Sequence, residues 1–134
     1  MKILYAVQAT GNGHICRAQK LVPALRQFAD VDVLTSGTAA DISLGFPVKY
    51  HYRGFGFVFG KQGGIQWSQT IFRNNPIRLC LDIAKGPVTQ YDLVINDFEP
   101  LTAWASKRKK VPCIAMSHQY ALLGEVPKLS LIHI

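Results

Sequence analysis

KILYAVQATGNGHICRAQKLVPALRQFADVDVLTS, residues 2–36, decides the fold. Its first seven residues, Lys2–Gln8, form a nearly continuous apolar run of strand length. Such runs mark strands buried on both faces, as in parallel sheets. After a short loop, Ile15, Ala18, Leu21, Val22, Leu25 and Phe28 recur at helical spacing and predict an amphipathic helix over 14–29. Pro23 falls inside that helix and is expected to kink it. Residues 31–36 read as a second strand, so the stretch makes one βαβ unit with a right-handed crossover.

The corner of this unit is Thr10-Gly11-Asn12-Gly13-His14, with Arg17 one helical turn on. A strand handing over to a helix through a Gly-rich turn is an anion-binding corner. Glycines let the backbone come close, and the free N–H groups and helix dipole favour negative charge. The dinucleotide fingerprint G-x-G-x-x-G fits only in part, because Cys16 stands where the third small residue is needed. No acid ends the second strand to hold a ribose: Thr35 and Ser36 stand there, and Asp32 lies further back. The phosphate-loop pattern is absent.

Further along, a short helix is expected within 38–44 and a third strand over 48–52. Phe55, Phe57 and Phe59 sit at period two between glycines, with Trp67 soon after. They read as core packing, or else as an apolar patch for a lipid or an acceptor. A helix over 68–84 must break at Asn74-Asn75-Pro76. The piece over 77–85 then carries Ile77, Leu81 and Ala84 on one face. Residues 91–96 predict a strand ending at Asp97. Glu99 and Pro100 open a helix over 101–107, where a proline and an acid both suit the N-terminus. The basic run 107–110 suits that helix's C-terminal end. Residues 111–116 form the last clear strand, followed by Ser117, His118 and Gln119. Strands and helices alternate throughout, which defines an α/β class with a parallel sheet.

The totals bound the rest. A chain of 134 residues, 49% hydrophobic and 17% charged, is one globular domain rather than a disordered segment. The formal net charge of +7 suits an anionic ligand, an acidic membrane face or nucleic acid, and does not choose among them. Cys16, Cys80 and Cys113 are odd in number and far apart, so neither a disulfide framework nor a zinc site is expected, and a reducing compartment is. Cys16 reads as a small packed thiol rather than a reactive one. No segment is long enough to span a bilayer, and the apolar start is too short for a signal peptide, so a cytoplasmic protein is expected.

His14 sits in the loop after the first strand, in the crevice where such sheets bind ligands. An imidazole there can take a proton from a substrate hydroxyl, given an acidic partner to orient it. Asp97 ends another strand at the same sheet edge, and Ser117, His118 and Gln119 follow a third, so these residues converge by topology.

The stretch ATGNGHICRA, Ala9 to Ala18, resembles the first loop of GT-B glycosyltransferases, nearest the MurG-like and UDP-glucuronosyltransferase-like groups. YDLVINDFEPLTAWASK (91–107) and VPCIAMSHQYALL (111–123) look like a bacterial and archaeal family of the same type, and the similarity runs over 1–127. The resemblance implies a Rossmann-like parallel sheet flanked by helices, the N-terminal, acceptor-side half of a two-domain GT-B enzyme. The C-terminal half, expected to bind most of a UDP-linked nucleotide-sugar, lies outside this sequence. Residues 128–134 (KLSLIHI) read as a non-native tail. The implied chemistry is sugar transfer to an acceptor hydroxyl with inversion. In it His14 is the base and Asp97 its orienting acid, while Thr10, Gly11, Asn12, Gly13 and Arg17 lie at the donor diphosphate. Glu99, Ser117, His118 and Gln119 lie on the acceptor side. No metal or cofactor is implied beyond the donor. The partners are the nucleotide-sugar and an acceptor, lipid-linked or anionic, with peripheral contact at the inner membrane face and no nucleic acid. Two alternatives stay open: a non-catalytic nucleotide- or polyanion-binding Rossmann domain, and a fragment of a sugar-nucleotide epimerase.

Overall fold

The computed structural model describes residues 1–10, 12–37, 43–54 and 75–116. The expectations for Gly11, for most of 38–44, for Phe55, Phe57, Phe59 and Trp67, for 68–74, and for Ser117, His118, Gln119 and the tail lie outside these residues. Within them the elements are β1 (Lys2–Gln8), α1 (Asn12–Leu25), β2 (Asp30–Ser36), β3 (Tyr50–Tyr52) and α2 (Pro76–Lys85). A 3₁₀ turn (Pro87–Gln90), β4 (Leu93–Asp97), α3 (Pro100–Lys109) and β5 (Cys113–Met116) complete them.

The five strands form one sheet in the order β3-β2-β1-β4-β5. Every pairing is parallel, with Lys2 opposite Asp30 and Ile3 opposite Leu93 flanking β1 on its two sides. The expected α/β, Rossmann-like sheet is what the chain forms. It explains why β1 is apolar on consecutive residues. Ile3, Tyr5 and Val7 face one layer, with Ile15, Ala18 and Val22 of α1. Leu4 and Ala6 face the other, with Val94 and with Ala105 of α3. Fully burying each such Leu or Val side chain contributes about 1.5–3 kcal/mol, so β1 anchors both layers. Among the described residues, no helix is long and apolar enough to cross a membrane.

Local chemistry shifts some boundaries. The first helix ends at Leu25 rather than at residue 29. Pro23 has no N–H to offer the preceding turn, and the chain leaves through a turn in which Arg26 N donates to Val22 O (3.0 Å) and Phe28 N to Leu25 O (3.0 Å). Phe28, expected on the apolar face, is therefore 84% exposed. α2 begins where Pro76 allows, capped by the Asn75 side chain, which accepts from Arg78 N (3.3 Å). Its expected inner face does not hold: Ile77 and Leu81 are exposed. α2 packs instead beside α3 through other positions, and Gly86, just after it, would bring a Cβ within 3.1 Å of Ala105 Cβ.

The sheet order fixes where a site belongs. The chain moves outward from β1 to β2 and β3, then returns to the other side of β1 for β4. Loops leaving the C-terminal ends of β1 and β4 therefore diverge to opposite layers and open a crevice between them.

Candidate active site

Asp97 is the last residue of β4 and pairs in register with Val7, near the end of β1. It is fully buried at the mouth of that crevice. A buried carboxylate needs partners to offset its lost hydration, and this one has three among the described residues. Oδ1 accepts from His14 Nδ1 (2.9 Å) and from Arg17 Nη1 (2.8 Å), and Oδ2 accepts from Tyr5 Oη at a longer 3.3 Å.

Each partner arrives for a sequence reason. His14 and Arg17 are three residues apart at the start of α1, so both lie on the face that overlooks the end of β4. Tyr5 is the only residue of the buried β1 run with a phenol, and its body sits in the α1 layer while its hydroxyl reaches Asp97. Burial, then the Asp97 carboxylate, push the Tyr5 phenol well above its usual range, so it stays protonated and donates.

This geometry fixes a tautomer. An ionised carboxylate only accepts hydrogen bonds, so the His14 proton sits on Nδ1 and the lone pair on Nε2. His14 keeps a side-chain exposure of 20%. The arrangement can take up a proton at Nε2 and spread the resulting charge onto Asp97. Arg17 at the same oxygen supplies a permanent positive charge beside the carboxylate.

The turn after Asp97 is unusual. Phe98 has φ +59°, the left-handed region that costs a non-glycine residue roughly 1–2 kcal/mol. A buried bracket holds it there: Asn96 Oδ1 accepts from Glu99 N (3.2 Å), and Asn96 Nδ2 donates to the Glu99 carbonyl and to Thr102 Oγ1. The Phe98 ring lies nearly parallel to the His14 imidazole, with centroids 5.8 Å apart and planes 8° apart.

Glu99 is a correction. Expected on the acceptor side, it is fully buried and caps α3. Oε1 accepts from Leu101 N (2.9 Å), and Oε2 accepts from Thr102 N (2.6 Å) and Thr102 Oγ1 (2.7 Å). A carboxylate so engaged has little capacity left for a substrate. Cys16 also departs from expectation: it is exposed rather than packed. Asp32, too far back for a ribose contact, pairs with Lys49 and accepts from Tyr91 Oη (2.7 Å).

Of the donor-side residues, Thr10, Asn12 and Gly13 are exposed at the start of α1. Arg17 is already committed in part to Asp97. Tyr5 and Phe98 escaped sequence reasoning, Tyr5 because it reads as one more core residue and Phe98 because its left-handed backbone has no glycine to announce it. Among the described residues, no group of three His, Cys, Asp or Glu could hold a metal ion.

Residues 1–124 match the model of glycosyl transferase family 1, and the chain belongs to that family. No curated protein and no solved structure matches it. Membership makes this a glycosyltransferase domain of the GT-B type, and it favours glycosyl transfer over the epimerase and non-catalytic readings.

Proposed function

We propose that this domain supplies the general base and acceptor side of an inverting transfer from a nucleotide-sugar, within a MurG-like GT-B enzyme. The observation that carries the reading is His14 Nδ1 held 2.9 Å from buried Asp97 at the crevice between β1 and β4. His14 Nε2 takes the proton of the acceptor hydroxyl as that oxygen bonds to the anomeric carbon. The bond from that carbon to the diphosphate breaks, and its electron pair leaves with a nucleoside diphosphate such as UDP. Asp97 steadies the imidazolium formed.

The start of α1 is the place for the leaving diphosphate, whose charge would meet the exposed N–H groups there. Gly13 supports this assignment. Among the described residues a Cβ at Gly13 would meet nothing within 4 Å, so their packing does not demand glycine. Glycine also weakens a helix by up to about 1 kcal/mol relative to alanine. Close approach of a ligand accounts for it. The donor's nucleoside belongs to a second Rossmann-like half. The domain is read over 1–127, at the cytoplasmic side of a membrane when the acceptor is lipid-linked.

The test is release of UDP from UDP-glucose and UDP-N-acetylglucosamine by the full-length enzyme over a panel of acceptors. His14→Ala should lower turnover on the order of 10³-fold, within the range that general bases supply. Unchanged turnover would remove the base. A product with retained anomeric configuration would remove the inverting mechanism.

A further inference from the structure

Phe98 meets three conditions that core packing does not explain together. Its backbone is left-handed, where glycine would sit without strain. Its side chain is 43% exposed, so it is not there to fill the interior. Its ring lies parallel to the His14 imidazole. The Asn96–Glu99–Thr102 bracket is buried, so the strained turn is held from below by groups shielded from solvent.

From these observations we infer that Phe98 is a positioning residue for His14, and that the buried bracket beneath it exists to hold its ring against the imidazole. The inference rests on the reading of His14 as a base. A hydrogen bond tolerates a wide range of angles, so the contact with Asp97 alone lets the imidazole plane tilt and Nε2 wander. A parallel ring restricts that tilt and keeps Nε2 aimed into the crevice. The ring does a second thing. When His14 becomes an imidazolium, the negative face of the aromatic ring attracts it, and the centroid distance is within reach of that effect. The interaction strengthens as charge develops on the base, so it helps the transition state more than the resting enzyme.

This assigns distinct tasks to the neighbours of His14. Asp97 fixes the tautomer, Arg17 supplies the counter-charge to the carboxylate, and Phe98 fixes the plane.

The experiment compares Phe98→Leu, which keeps apolar bulk without a flat ring, with Phe98→Trp, which keeps the ring. UDP release from UDP-glucose by the full-length enzyme is read as kcat and KM separately. In Phe98→Leu, kcat should fall about tenfold with KM for UDP-glucose within about twofold of wild type. Phe98→Trp should recover kcat to within about twofold. The second readout needs no substrate: the ¹⁵N and ring-proton resonances of the His14 imidazole, assigned with His14→Ala. Phe98→Leu should lose the ring-current shift and broaden the ring-proton resonances as the imidazole plane tilts, with the Nδ1–H form that Asp97 fixes retained, and Phe98→Trp should keep the wild-type linewidth. A Phe98→Leu imidazole with the wild-type linewidth overturns the inference, whatever the turnover. So does a Phe98→Trp enzyme as slow as Phe98→Leu. If His14→Ala leaves UDP release unchanged, the base reading falls, and the spectra still decide whether Phe98 positions the ring.

Discussion

Asp97 and Glu99 stand two residues apart on the same strand-to-helix turn, and both are fully buried. They hold unlike things. Asp97 gathers side chains from elsewhere in the chain: His14, Arg17 and Tyr5. Glu99 gathers the first N–H groups of the helix that it precedes, at Leu101 and Thr102. A buried acid therefore says little by itself. What separates a reactive carboxylate from an architectural one is whether its partners can change protonation state and reach a crevice. Backbone amides can do neither.

Four substitutions bear on that contrast, from the largest effect down. Asp97→Asn should cut turnover on the order of 10³-fold while the domain still folds, because an amide cannot fix the Nδ1–H tautomer or carry the charge. Steady-state UDP release reads the first part and circular dichroism the second; a rate near wild type would make Asp97 architectural as well. Glu99→Ala should do the reverse. Losing the cap and leaving Leu101 N, Thr102 N and the Thr102 hydroxyl short of an acceptor should lower unfolding stability by about 2–3 kcal/mol in urea titrations. Turnover per folded molecule should fall by no more than the roughly tenfold of Phe98→Leu, since the cap reaches His14 only through the turn that carries Phe98; a loss as large as that of Asp97→Asn would erase the contrast. Arg17→Gln leaves Asp97 without its permanent counter-charge, and kcat should drop roughly tenfold, about 1.4 kcal/mol in barrier. No drop at all would move the role of Arg17 away from Asp97.

Tyr5→Phe is the mildest. The long hydrogen bond to Asp97 is worth about 1 kcal/mol or less at neutral pH. Its signature is in alkali. The folded state raises the Tyr5 pKa, so the protein loses stability as pH climbs beyond the unfolded phenol value of about 10. Tyr5→Phe removes that contribution, and the thermal midpoint of the variant should fall less steeply above about pH 10 than that of wild type. Parallel curves would mean that Tyr5 is not the group responsible.

The sequence carried the fold well where patterns were long. The apolar β1 run, the helical spacing after it and the β2 run gave the βαβ unit to within a few residues, because burial on two faces leaves few polar choices. The meeting of His14 and Asp97 also followed, since α1 starts just beyond the end of β1 and Asp97 ends β4 at the same sheet edge. Other features depended on what long-range pattern cannot encode. Arg17 reads equally well toward a phosphate or a carboxylate, and only the register of β4 against β1 decides that it reaches Asp97. Glu99 before Pro100 did announce a helix start, and the acceptor-side role added to it was the error. Phe28 and Ile77 kept helical spacing without being buried, because α1 ends at Leu25 and α2 packs beside α3 through other positions.

The site's position also bears on how the chain folds. β1 meets β2 within a short span of chain, but His14 and Asp97 are 83 residues apart, and Tyr5 and Asp97 are 92 apart. Closing the longer loop costs more entropy, so the β1–β2 pairing is the cheaper event and comes first. The reactive pair then forms only when β4 has docked in register beside β1. Chains arrested with half a sheet carry no competent histidine, and refolded protein should regain turnover only with its slowest phase.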